Sequence, residues 1–249
     1  MKRTILILIA MVSLIISVNS AYSESAEGAK NQIIGKFLAV TGGKIIESRN
    51  IGDLEETVIE RTLPNGKKKK EIFYSTENYL IYGSILDADM RNLTQERLDE
   101  IDRIDFSTLP LNDAIAIKKG NGSKKLAMFT DVDCSFCRRA HEALSSMNDY
   151  ILYVFLYPLD FHPKAKEKSI RVLCSEDKAK ALDDAKHDRP ISSDRCKQGE
   201  EMLAKHILTG TVLELTGTPL FILEDGKKME GFNKPLIESY LLEKKHGGQ

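Results

Sequence analysis

Hydrophobic positions along the chain fall into two regimes. From Ser25 to Val40, Ile33, Ile34, Phe37 and Leu38 recur at helical spacing, and Thr41-Gly42-Gly43 supplies a stop. Short β-prone segments follow at Lys44–Glu47, Thr57–Thr62, Glu71–Tyr74 and Tyr79–Leu86. They are separated by the turn signals Leu63-Pro64-Asn65-Gly66 and Ser75-Thr76-Glu77-Asn78. One helix followed by an antiparallel meander predicts a small α+β unit. Asn92–Ile104 is strongly charged, with Leu93, Leu98, Ile101 and Ile104 at helical spacing. Asn92 and Gln95 fit a capping box, so a linker helix is predicted here.

Beyond Asp113 the pattern changes. Lys125–Phe129 and Tyr150–Tyr157 are apolar runs suited to buried strands. Between them Cys137, Ala140, Leu144 and Met147 keep a helical period, giving a β-α-β unit. Pro158–Leu213 is mostly helical in pattern. Leu220–Glu224, an Asp225-Gly226 turn and Lys228–Phe232 form a hairpin, and Pro235–Lys244 closes as a helix. There is no internal repeat and no low-complexity segment.

The first residues set the compartment. Lys2 and Arg3 precede an apolar run, Ile5–Val18, and small residues follow at Val18-Asn19-Ser20 and Ala21-Tyr22-Ser23. This is the pattern of a secretory signal peptide over residues 1–23. The run has 14 positions, short of the roughly 20 that a spanning helix needs. A soluble exported protein is therefore expected. Without residues 1–23 the balance is 34 Lys+Arg against 37 Asp+Glu, which excludes electrostatic capture of nucleic acid as the main activity. The run Lys67–Lys70 reads as a solvated strand edge. The remaining 226 residues favour two domains. The first is small enough that pairing with a second copy would help stabilise it.

All four cysteines lie in the C-terminal half: Cys134, Cys137, Cys174 and Cys196. The close pair, Cys134-Ser135-Phe136-Cys137, opens a helix. Unpaired N–H groups and the positive end of the helix dipole favour a thiolate there, the form that attacks disulfides. Two intervening residues let the second thiol reach back to displace a partner held on the first. Cys174 and Cys196 are far apart in sequence and read as a structural staple, worth about 3 kcal/mol in the chain-entropy model. A zinc site using Cys134, Cys137 and His141 lacks a second closely spaced ligand pair. Covalent haem attachment fails because Arg138 stands where a histidine is required.

Phe129-Thr130-Asp131-x-x-Cys134-x-x-Cys137, the 22-position step from Cys174 to Cys196, and Gly217-Thr218-Pro219 together resemble the DsbC/DsbG family of bacterial periplasmic thiol:disulfide isomerases. Phe73-Tyr74-Ser75 and Tyr79-Leu80-Ile81-Tyr82-Gly83 extend the resemblance to the first domain. It implies a cystatin-like α+β dimerisation domain at residues 24–90 and a linker helix at 91–112. A thioredoxin-fold catalytic domain with a helical insertion follows at 113–249. It implies Cys134 as an exposed nucleophile, Cys137 as the buried resolving thiol, Thr218-Pro219 as a substrate-binding cis-proline loop and Cys174–Cys196 as a structural disulfide. It also implies a periplasmic homodimer joined through the N-terminal domain, misfolded disulfide-containing proteins as substrates and a membrane-bound partner reductase. The cysteine chemistry needs no metal or organic cofactor.

Two departures bear on the redox poise. Thioredoxin has a buried carboxylate six residues before its nucleophile, where this chain has Met128. Ser135-Phe136 is not the usual intervening pair of either relative, and Asp133 beside the nucleophile opposes a thiolate while Arg138 and Arg139 favour one. The alternatives to an isomerase are a reductase of oxidised single cysteines, a dithiol oxidase and a chaperone whose main output is binding. His141 reads as a surface residue, and His162, His187 and His206 carry no partner pattern.

Overall fold

The structure is a computed structural model that describes residues 32–64, 66 and 68–243. The expected signal segment, the first part of the Ser25–Val40 helix and the end of the closing helix lie outside the described residues. The chain divides into two compact units, Met1–Leu98 and Asp99–Gln249.

In the first unit, a helix over residues 32–41 (α1) precedes four antiparallel strands. These are β1 (Lys44–Ile51), β2 (Leu54–Thr62), β3 (Lys68–Ser75) and β4 (Leu80–Ile81), in spatial order β1-β2-β3-β4. Ile34 of α1 packs with Ile59 and Phe73, and Phe37, Leu38 and Leu80 surround them. The core is small, so polar pairs are prominent around it. Buried Glu56 takes Arg49 at 2.6 Å and Arg97 at 3.2 Å, and Tyr74 Oη is 2.6 Å from Thr94 Oγ1. The expected strand Tyr79–Leu86 is cut to two residues plus an isolated bridge between Leu86 and Asn92. Tyr79 and Tyr82 are exposed and supply little burial to hold a longer pairing. Lys68–Lys70 pair only with β2, since β4 meets β3 at Tyr74 and Ser75 alone. That end of β3 is a lysine-protected edge among the described strands.

Helix α2 spans Leu93–Ile101, three residues shorter at its end than the predicted linker helix. Asn92 caps it, accepting the Gln95 N–H at 2.9 Å.

The second unit holds a five-stranded sheet in the order β5-β7-β6-β8-β9. The strands are β5 (Ile115–Lys119), β6 (Lys124–Thr130), β7 (Tyr150–Leu156), β8 (Leu220–Leu223) and β9 (Lys228–Glu230). Among the described strands only β6 and β7 run parallel, joined through α3 (Ser135–Ser145). Central β6 is apolar on both faces. Leu126 and Met128 enter one core with Ala140 and Leu144 of α3, and Ala127 and Phe129 enter the other with Phe155 and Ile222. Between β7 and β8 lie α4 (Ala165–Cys174), α5 (Lys178–Lys186) and α6 (Lys197–Val212), and α7 (Lys234–Leu242) follows β9. Strand β5 has no clear sequence signal, because Ile115-Ala116-Ile117 is too short an apolar stretch to stand out beside the longer runs. Among the described residues no helix is long and apolar enough to cross a membrane.

Candidate active site

β6 ends at Thr130, and Asp131 turns the chain into α3. Asp131 is completely buried and anchors this turn through both carboxylate oxygens. Oδ1 accepts the Asp133 N–H at 2.7 Å. Oδ2 accepts the Leu159 N–H at 2.7 Å and lies 2.9 Å from His162 Nδ1. A carboxylate buried with this many donors is satisfied and rigid. It therefore fixes where Cys134 begins the helix.

Cys134 occupies the N-cap of α3, with φ −72° and ψ 122°. Its carbonyl accepts the first helical bond from Arg138 N–H at 3.0 Å. Cys134 and Cys137 are not bonded to each other. The expectation that Cys134 is exposed needs correction: it keeps 6 % of its accessible surface, and Cys137 keeps none. The cover is the Thr218–Pro219 loop, whose peptide bond is cis and whose Thr218 carbonyl accepts from Cys134 Sγ at 3.5 Å. Thr218 Oγ1 is buried without a hydrogen-bond partner. Burial pushes the Cys137 thiol up, against a downward pull from Lys186, the Thr130 and Thr218 hydroxyls and the Asp131 backbone.

The charge beside the nucleophile is compensated. Asp133 Oδ1 lies 2.5 Å from Lys168 Nζ of α4 and 3.3 Å from Arg138 of α3. Both cations also meet Asp188, Lys168 at 3.0 Å and Arg138 at 2.9 Å, which holds the Asp188 carboxyl well below the usual carboxylate range. Phe136 projects from the intervening pair with 59 % of its surface exposed, and the Arg139 guanidinium lies 4.6 Å from its ring centroid. The dithiol is thus flanked by an accessible aromatic ring.

His141 is buried rather than on the surface, with Nε2 3.0 Å from Asp183 Oδ1. Burial lowers its pKa despite that carboxylate. His206 is buried too. Its Nδ1 accepts the Leu156 N–H at 3.0 Å and its Nε2 lies 2.7 Å from the Asp113 carbonyl, so it braces β7 as a neutral ring. Cys174 and Cys196 form a disulfide between the end of α4 and the start of α6. They lie outside the dithiol site. Among the described residues no group of three or more His, Cys, Asp or Glu is arranged to hold a metal ion.

Sequence reasoning missed His162, Lys168, Lys186 and Asp188. Each meets the dithiol turn or the start of α3 from 31 to 55 positions away, and no local motif marks it. Lys186 has the least warning of all. It is 2 % exposed, with Nζ 2.6 Å from Thr130 Oγ1 and 2.7 Å from the Asp131 carbonyl.

The chain is 32 % identical over 169 residues to a probable thiol:disulfide interchange protein DsbC of Bordetella avium, covering 66 % of this chain and 60 % of that one. It is 26 % identical over 191 residues to the thiol:disulfide interchange protein DsbC of Dickeya dadantii, covering 71 % and 76 %. The chain spans about 60 % of the length of the Bordetella relatives it matches. A crystal structure of a disulfide interchange protein from Neisseria gonorrhoeae is similar at 31 % identity with a TM-score of 0.49, covering 53 % of this chain and 96 % of that one. Residues 111–244 match the family model described as a thioredoxin-like domain, more than half of the chain, and the chain therefore belongs to the thioredoxin-like family.

Proposed function

We propose that this chain is a periplasmic protein thiol-disulfide isomerase. The observation that carries the reading is the unbonded Cys134/Cys137 pair at the start of α3 beneath the cis Thr218–Pro219 loop. In this mechanism the Cys134 thiolate attacks a non-native disulfide of a substrate protein, forming a mixed disulfide and releasing one substrate thiolate. That thiolate either attacks elsewhere in the substrate until the native pairing forms, or Cys137 displaces the substrate by bonding to Cys134. The backbone of the Thr218–Pro219 loop binds an extended substrate segment, and Phe136 adds an apolar contact.

Export by residues 1–23, dimerisation through residues 24–90 and a membrane-bound reductase that returns Cys134 and Cys137 to the dithiol complete the proposal. It is supported by the two-unit organisation and by the relatives that carry the thiol:disulfide interchange name. The test is refolding of a scrambled, multiply disulfide-bonded protein. Recovery of native substrate is expected with the parental protein and not with Cys134→Ser. A Cys134→Ser variant that refolds scrambled substrate at the parental rate overturns the enzyme reading in favour of a binding chaperone.

A further inference from the structure

Lys186 closes α5, yet its side chain runs inward to the turn between β6 and the dithiol helix. A lysine that retains 2 % of its surface is rare unless it is paired. Its two hydrogen-bond partners are Thr130 Oγ1 and the Asp131 carbonyl, both neutral acceptors. The Asp131 carboxylate is engaged elsewhere, by the Asp133 and Leu159 N–H groups and His162. The ammonium therefore has no carboxylate in direct hydrogen-bond contact among the described residues. The titratable groups that face it are Cys137, Asp131 and Cys134, which favour its charge, and Arg138 and His141, which do not.

Resting on the isomerase reading, we propose that Lys186 is a positioning residue for the dithiol. Its buried amine, acting through the Thr130 hydroxyl, takes up the proton that Cys137 must lose before it attacks the Cys134–substrate disulfide. Cys137 has no accessible surface, so solvent does not reach its proton directly. Met128, at the position where thioredoxin has a carboxylate, is apolar and completely buried. Lys186 fills the vacancy in proton handling from another element of the fold.

The Cys137 S–H proton passes to Thr130 Oγ1 as the Thr130 hydroxyl proton passes to the Lys186 amine, leaving a Cys137 thiolate beside an ammonium. The thiolate electron pair forms the Cys134–Cys137 bond. The Cys134–substrate S–S bond breaks, and the substrate sulfur leaves with the bonding pair and takes a proton from solvent. When an external dithiol later reduces the Cys134–Cys137 disulfide, Cys137 leaves as a thiolate and recovers the proton from Lys186. Burial brings the ammonium down to about 8, within reach of such an exchange near neutral pH.

The experiment isolates Cys137 by using full-length Cys134→Ser protein and following ultraviolet thiolate absorbance against pH. Adding Lys186→Met is expected to move the Cys137 midpoint upward by roughly one pH unit, a tenfold loss of thiolate at a given pH. Thr130→Val, close to isosteric, is expected to shift it in the same direction while circular dichroism stays native. It keeps the test open if the lysine variant does not fold. An unmoved midpoint in folded Lys186→Met or Thr130→Val protein overturns the proposal. Absence of refolding activity in the parental protein would overturn the isomerase reading instead, and that assay is independent of the titration.

Discussion

Lys168 Nζ lies 2.5 Å from Asp133 Oδ1, so the carboxylate next to the nucleophile is neutralised from α4. The two charges that oppose each other in sequence, Asp133 just before α3 and Arg138 within it, are one ion pair in the fold. Replacing Lys168 by Met should leave part of the Asp133 charge facing Cys134 and slow alkylation of Cys134 by iodoacetamide about two- to fivefold near neutral pH. Asp133→Asn should act in the opposite direction. Added salt should shrink both effects, since the network is partly solvent-exposed. Equal alkylation rates in all three proteins at low salt would remove this network from the control of the nucleophile.

Asp131 governs the turn more by geometry than by charge. Both of its oxygens must accept hydrogen bonds, from the Asp133 N–H on one side and the Leu159 N–H on the other. Asparagine offers one acceptor oxygen and an NH2 group that would confront a backbone donor. Asp131→Asn should therefore cost about 2–3 kcal/mol of stability, measured by urea denaturation. Loss of the His162 contact alone should be milder, so His162→Ala is expected to fall well below that figure. A smaller effect of Asp131→Asn than of His162→Ala would contradict this account.

Two buried histidines set the response to mild acid. Burial depresses the pKa of His206 and His141 below the ordinary 6.5 in the folded protein. The unfolded chain thus binds protons first as pH falls, and stability declines below about pH 6.5 until the depressed folded values are reached. Carboxylates with lowered pKa, such as Asp188 and Asp183, lose their contribution only at more acidic pH, below their ordinary value of 3.8. The window between pH 6.5 and 5 therefore belongs to the histidines. Folding free energies measured across it should fall for the parental protein and fall less steeply for His206→Gln. A flat parental curve would mean that neither ring is held neutral.

The elements that read clearly in sequence are those whose signal is local. Phe129 to Cys137 carries a strand end, a helix start and a dithiol within a few residues, and α3 follows the period of Cys137, Ala140 and Leu144. Asn92 with Gln95 marks the start of α2 in the same way. β4 is shorter than its sequence suggests because Tyr79–Leu86 has strand-forming residues but almost no strand to pair with. Lys186 escapes notice in the sequence for the opposite reason. Its segment, Lys178-Ala-Lys-Ala-Leu-Asp-Asp-Ala-Lys186, looks like an ordinary amphipathic helix in which lysines face water. Only the packing of α5 against the β6–α3 turn distinguishes the last of them. The burial of Cys134 is equally hidden in the sequence, since the Thr218 carbonyl that covers it arrives from 84 residues away.

The Cys174–Cys196 disulfide encloses the segment that delivers Lys186 and Asp188 to the dithiol, so its removal has two separable consequences. The link spans 22 residues of sequence, and its loss in Cys174→Ala/Cys196→Ala should cost about 3 kcal/mol by freeing the unfolded chain. Gly199 tests the native side of the same joint. Its N–H donates to Cys196 Sγ at 3.2 Å, and a β-carbon added there would meet Cys174 Sγ and, at 2.8 Å, the Ile170 carbonyl. Gly199→Ala should therefore destabilise by about 1–3 kcal/mol through overpacking between α4 and α6. Part of that clash is with sulfur, so Gly199→Ala should cost less in the disulfide-free background than in the parental one. The resulting coupling energy, read from a double-mutant cycle of urea midpoints, should be at least about 0.5 kcal/mol. Strict additivity would show that the glycine is required by the Ile170 backbone alone and that the disulfide does not set the spacing of the two helices.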